Sequence, residues 1–141
     1  MIDRLADLYA LIRRFEGCKL MPYLCPAGVW SCGWGSTGRD VMPGQAWTQD
    51  YADRRMQADA LYFAKGTMLL CTGLPESALC AVADFSYNLG LEKLRASTLR
   101  KRLNEGDMQA AARELMKWVR GGGRVLPGLV ARRAAEAALL R

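Results

Sequence analysis

The chain of 141 residues contains no histidine. That absence removes the usual base of a Ser-His-Asp or Cys-His hydrolase and every histidine-bearing zinc site. Chemistry must therefore run on Asp or Glu, Cys, Ser or Thr, Tyr or Lys. A long apolar run is also missing, and none approaches the roughly 20 residues of a membrane span. Near the N-terminus Asp3, Arg4, Asp7, Arg13 and Arg14 interrupt any apolar stretch of the kind a signal peptide needs, so synthesis in the cytoplasm without a signal peptide is expected. Acidic residues are scarce in one place: none lies between Glu16 and Asp40. The five cysteines stand at 18, 25, 32, 71 and 80, a spacing that matches no zinc ribbon, and no metal is expected. Cys71 and Cys80 flank the turn signal Thr72–Pro75 and are read either as a disulfide pair or as two reduced, buried thiols.

What is present is ordinary for one folded domain: 51% hydrophobic and 24% charged residues. With 20 basic against 14 acidic residues the net charge is +6, which favours polyanionic partners. The basic residues are scattered beside acidic ones in helical patterns, which reads as a solvated surface rather than a nucleic-acid site.

Leu5, Leu8, Tyr9, Ile12 and Phe15 form one helical stripe over residues 3–16, with Asp3 as a cap and Gly17 as a stop. Glu16 then sits at a helix C-terminus, where the macrodipole favours the neutral carboxyl that a general acid requires. Residues 18–38, broken by Pro22, Pro26 and glycines, carry Val29, Trp30, Cys32 and Trp34 on short strands, the only β-like region. Helices are expected from Thr48 to about Leu70, from Pro75 to Gly90 with Leu79, Val82, Ala83 and Phe85 inward, and from Ser97 through Leu103. Two more run from Asp107 to about Arg120 and from Pro127 to the end, with Gly121-Gly122-Gly123 between them. The layout is a mostly helical α+β chain: an N-terminal helix and β-region over 1–47, a connecting helix over 48–70, and a helical lobe over 71–141. A small and a larger lobe would leave a cleft.

Glycoside hydrolysis takes one protonated carboxyl and a second group across the sugar ring. Glu16 supplies the first. The hairpin offers only Cys25, Ser31, Cys32 and Ser36 for the second. A thiolate could attack the anomeric carbon or polarise a water, and a cationic neighbour would promote its ionisation.

The segment Glu16-Gly17, Lys19-Leu20, Tyr23, Gly28-Val29-Trp30 and Gly33-Trp34-Gly35-Ser36-Thr37-Gly38 resembles the catalytic segment of the phage-type lysozymes. Phe85–Gly90, Ser97-Thr98-Leu99 with Leu103–Asp107, and Gly122–Val130 with Arg132, Arg133 and Glu136 resemble further blocks of the same family, in order. The resemblance implies a two-lobe lysozyme-like fold and an endolysin that needs no cofactor. It would cleave the β-1,4 bond between N-acetylmuramic acid and N-acetylglucosamine. Glu16 falls on the family's catalytic Glu, Cys25 on its Asp, Ser31 on its Thr, and Ser36 on its His. Thr37, Tyr87 and Thr98 fall on positions lining the sugar cleft, and Arg132 or Arg133 would approach Glu16. The implied partners are peptidoglycan glycan strands and, indirectly, a holin-like protein that opens the membrane, with no nucleic acid. A monomer acting on the wall in the periplasm is expected. The loss of the second carboxylate leaves two alternatives: a catalytically impaired glycan-binding homologue, or a lytic transglycosylase that uses Glu16 alone.

Overall fold

The computed structural model describes residues 3–141. A 3-10 turn, Asp3–Leu5, leads into α1, Ala6–Glu16. The side chain of Asp3, expected to cap this helix, lies outside what is described. Leu5, Leu8, Tyr9 and Ile12 are buried as their spacing requires, and Leu11 joins them. Gly17, with φ +68°, ends α1 in the left-handed conformation that glycine adopts without strain.

Strands β1, Lys19–Leu24, and β2, Trp30–Gly33, pair antiparallel. Lys19 faces Gly33 and Tyr23 faces Ser31, but the register shifts between these pairs. Pro22 lies in the shifted stretch, and a proline cannot donate to the ladder. Helix α2, Gln49–Leu70, is capped by the Thr48 hydroxyl, which accepts from the Tyr51 amide at 3.1 Å. Then come α3, Glu76–Leu89, α4, Leu91–Arg95, α5, Thr98–Asn104, and α6, Met108–Leu115. Ser97 and Asp107 cap α5 and α6 through side-chain oxygens. A second hairpin, β3 Arg120–Gly121 with β4 Arg124–Val125, precedes α7, Pro127–Ala138.

Two compact units emerge. One comprises residues 12–59. Its apolar cluster is Cys32, Val41, Trp47 and Ala52, with Cys18, Leu20 and Trp34 packed against it. The other comprises residues 1–11 and 60–141. Its core gathers Val82, Phe85, Leu94, Leu99, Leu103, Ala111 and Leu115, with α7 packed on α3 and α6. Trp118 stacks edge-on against Phe85 at 5.3 Å.

Two expectations need correction. The first β-region is not alone. Gly122 and Gly123 both take positive φ, +57° and +79°, and close a tight turn between β3 and β4. That is the geometry two-residue hairpins favour. For the same reason α6 stops at Leu115 rather than near Arg120. All five cysteines are free. Cys71 and Cys80 are buried, and burial pushes both thiols upward. No helix among the described residues is long and apolar enough to cross a membrane.

Candidate active site

Glu16 is the last residue of α1 and is half-buried. Its carboxyl rests on the backbone of Gly35. A Cβ there would stand 2.6 Å from the Glu16 Oε1, and Gly35 has φ +87°. Only glycine meets both conditions, and this explains the glycine at 35.

Cys25 opens the turn between β1 and β2. Its amide donates to the Val29 carbonyl at 3.0 Å, and its own carbonyl accepts from Gly28 at 2.8 Å. The backbone amides of Val29 and Ala27, and then the Ser31 hydroxyl, pull its thiol below the ordinary range. The expected cation is not the cause; backbone donors at the turn do the work. Ser31 is buried, with its hydroxyl 3.3 Å from the Val29 carbonyl.

Tyr23 joins these groups. Burial raises its phenol, and the negative charges of Glu16 and Cys25 raise it further, so one ring lies within electrostatic reach of both. The Lys19 ammonium sits 4.4 Å from the centroid of that ring. Tyr23 was visible only as a motif residue, since its part in the site depends on the strand register.

The turn Gly33–Gly38 is tied to α2. Trp34 donates to Asp53 at 2.8 Å, and Ser36 donates to Asp59 at 2.6 Å. Arg55 bridges Asp40 and Asp59 and donates to the Thr37 carbonyl. Arg55 holds the Asp40 carboxyl below its usual range, with help from the Tyr51 hydroxyl, while burial raises Asp59. Ser36, standing where a histidine was expected, keeps a hydrogen bond rather than losing one. The Arg55–Asp59 spacing of four on a helix was the available signal for this network.

Glu16, Cys25, Ser31 and Thr37 thus belong to the unit 12–59. Tyr87, Thr98, Arg132 and Arg133 belong to the other unit. There Tyr87 is half-buried and packs edge-on against Phe63 at 5.6 Å, and Thr98 is exposed on the first turn of α5. Arg132 forks onto Asp84 with two bonds of 2.8 Å. Arg133 is fully buried and donates to Asn88 at 2.6 Å, with its Nε 2.8 Å from Glu136. Among the described residues, no group of three or more Cys, Asp or Glu is placed to hold a metal ion.

This architecture is that of the lysozyme-like muramidase folds. The muramidase domain of SpmX from Asticaccaulis excentricus superposes with a TM-score of 0.86 at 30% identity, over 96% of this chain and 94% of that one. The chain belongs to the phage lysozyme family, which it matches over residues 13–136. The endolysin of Acyrthosiphon pisum secondary endosymbiont phage 1 is 39% identical over 137 residues, 92% of this chain and 91% of that protein. The endolysin of Bacillus phage B103 is 37% identical over 132 residues, and the match spans only half of its length.

Proposed function

We propose that the protein is an endolysin that cuts peptidoglycan glycan strands at the β-1,4 bond between N-acetylmuramic acid and N-acetylglucosamine, opening the host wall. The reading is carried by one observation: the Glu16 carboxyl, seated on Gly35, faces the same tyrosine as the Cys25 thiol. Glu16 donates its proton to the leaving glycosidic oxygen as the C–O bond breaks. Cys25, as a thiolate favoured by its turn amides, acts at the anomeric carbon either directly or through a water, with Ser31 orienting that partner. Water completes the cleavage, and its proton returns to Glu16. Thr37 in the unit 12–59, and Tyr87, Thr98, Arg132 and Arg133 in the other unit, are proposed to contact the sugar or support residues that do. The protein acts as a monomer on the wall, reached through a membrane lesion made by a holin-like partner. The +6 net charge suits an anionic wall polymer.

The lack of any carboxylate from residue 17 to 39 favours a second reading, in which Glu16 works alone as acid and then base and leaves an anhydro sugar. Clearing of permeabilised Gram-negative cells separates the cases. Glu16→Gln should abolish clearing. Cys25→Ser should abolish the rise of activity on the alkaline side, where the thiolate fraction grows. If Cys25→Ser lyses with the wild-type pH profile, the thiol has no role. Anhydro ends in the muropeptide mass spectrum would replace hydrolysis by transglycosylation. Wild-type binding to sacculi without clearing would make the protein a glycan binder.

A further inference from the structure

The carboxyl of Glu16 lies directly against the turn Gly33–Gly38: it occupies the space a Cβ on Gly35 would need, 2.6 Å from Oε1. Where the turn sits decides where that carboxyl sits. Cys32, just before the turn, and Ser36 exchange two backbone hydrogen bonds of 2.9 Å, which close the loop between them. What remains is its attachment to α2. Trp34 and Ser36 each contribute one hydrogen bond. Arg55 contributes a fork: Nη2 to the Thr37 carbonyl and, at 3.1 Å, to Asp40, Nε to Asp40 at 2.8 Å, and Nη1 to Asp59. Asp59 is also the acceptor for Ser36. One guanidinium therefore reaches the turn's backbone, the acceptor of its central hydroxyl and the acid just beyond it. Gly38 makes the approach possible, since a Cβ there would stand 3.1 Å from Nη2.

We propose that Arg55 is a positioning residue for Glu16, acting through the turn Gly33–Gly38. The inference rests on Glu16 being the general acid. Two side chains that are three-quarters buried, Asp40 and Asp59, would face each other without a cation if Arg55 were removed, and the Thr37 carbonyl would lose its donor. The turn would then shift as a unit and carry the resting place of the acid with it. A displacement of about an ångström in a catalytic group costs up to a hundredfold in rate. Arg55's hydrogen bonds go to Asp40, Asp59 and the Thr37 backbone carbonyl, which hold the turn, so the effect is expected on turnover more than on binding.

The test measures kcat and KM on soluble, uncrosslinked peptidoglycan strands for wild type, Arg55→Gln, Arg55→Lys and Arg54→Gln, with circular-dichroism melts on each. Arg54 lies next in the helix and pairs with Asp50 on the exposed surface, so Arg54→Gln should match wild type. Arg55→Gln should lose about tenfold in kcat per folded molecule while KM moves less than threefold. In a fourth variant, Arg55→Ala, millimolar guanidinium ion should restore part of the lost kcat. If Arg55→Gln does not fold, Arg55→Lys carries the test, because an ammonium keeps the charge but cannot fork to all three partners. Its kcat should fall by a similar factor. A loss that follows only the folded fraction, or one confined to KM, overturns the role. If Glu16→Gln is inactive and Arg55→Gln turns over like wild type, the positioning role alone fails. If Glu16→Gln still lyses, the reading of Glu16 fails first.

Discussion

At Asp84 a carboxylate with no exposed surface meets two guanidinium nitrogens of Arg132 at 2.8 Å. Burial alone would raise this acid, but the forked arginine overrides it and holds Asp84 below its usual range. Its neighbour Glu136 goes the other way: burial and the adjacent Asp84 carboxylate raise it well above normal, against the pull of Arg133. Two acids and two arginines thus share one dry cluster in which each charge depends on the others. Asp84→Asn keeps the shape and leaves a buried guanidinium facing a neutral amide. It should cost about 3–5 kcal/mol of stability, the usual penalty for breaking a buried pair from one side. Urea titration checks the figure, and a loss under 1 kcal/mol would show that the pair is replaceable. Cys25 teaches a different lesson at this scale. Its position beside Glu16's motif was legible in the sequence, while the cause of its low thiol was not. Sequence shows neighbouring side chains, but the donors here are backbone amides whose direction is set only when the turn at 25–29 closes.

Among the elements, the glycine-rich turn after β2 makes the sharpest demand. Gly35→Ala would place a methyl 2.6 Å from the Glu16 carboxyl in a backbone conformation that costs a non-glycine residue about 1–3 kcal/mol. Both a lowered melting temperature and an activity loss of more than tenfold are expected. A melting loss with full activity would mean that the turn can yield without moving the acid. By contrast, Gly44→Ala meets positive φ but no neighbour within 4 Å, so only the strain should appear. The helices were readable because their signals are local: Thr48, Ser97 and Asp107 are caps, Gly17 is a stop, and Leu5, Leu8, Tyr9 and Ile12 of the α1 stripe are buried. Two short elements were not. Helix α4 has five residues after Gly90 and leaves no periodic pattern to count. The β3–β4 hairpin has two residues per strand, and Met116, Trp118 and Val119 before it continue an apolar rhythm that reads as helix. The three glycines at 121–123 read in the sequence as a break between two helices, whereas two of them make the turn. The Arg55 network was hidden more deeply, because it joins residues 36–40 to α2 through a fold the local pattern does not encode.

Across the whole molecule, each compact unit holds both lowered and raised acids: Asp40 and Asp53 lowered and Asp59 raised in residues 12–59, Asp84 lowered and Glu136 raised in the other. Their contributions to stability run in opposite directions with pH. A lowered acid binds its proton less tightly folded than unfolded. Asp40 and Asp84 therefore stabilise above the unfolded Asp value of about 3.9, and that stability is lost as pH falls through their lower folded values. A raised acid holds its proton more tightly when folded. The contributions of Asp59 and Glu136 are complete below their unfolded values and disappear as pH rises through the folded ones. Acid also adds positive charge to a chain already at +6, and that repulsion steepens the acid limb in every variant alike. The comparison between variants is thus cleaner than the curve of any one. Melting temperatures measured from pH 6 to pH 2 should fall less steeply in Asp40→Asn than in wild type, because the variant has already lost the pairing that acid would remove. Asp59→Asn should keep the wild-type acid limb and instead lose the decline as pH rises above about 4. Equal acid limbs in Asp40→Asn and wild type would mean that Arg55 does not hold Asp40 ionised. The clamp on the turn over Glu16 would then be weaker than its geometry implies.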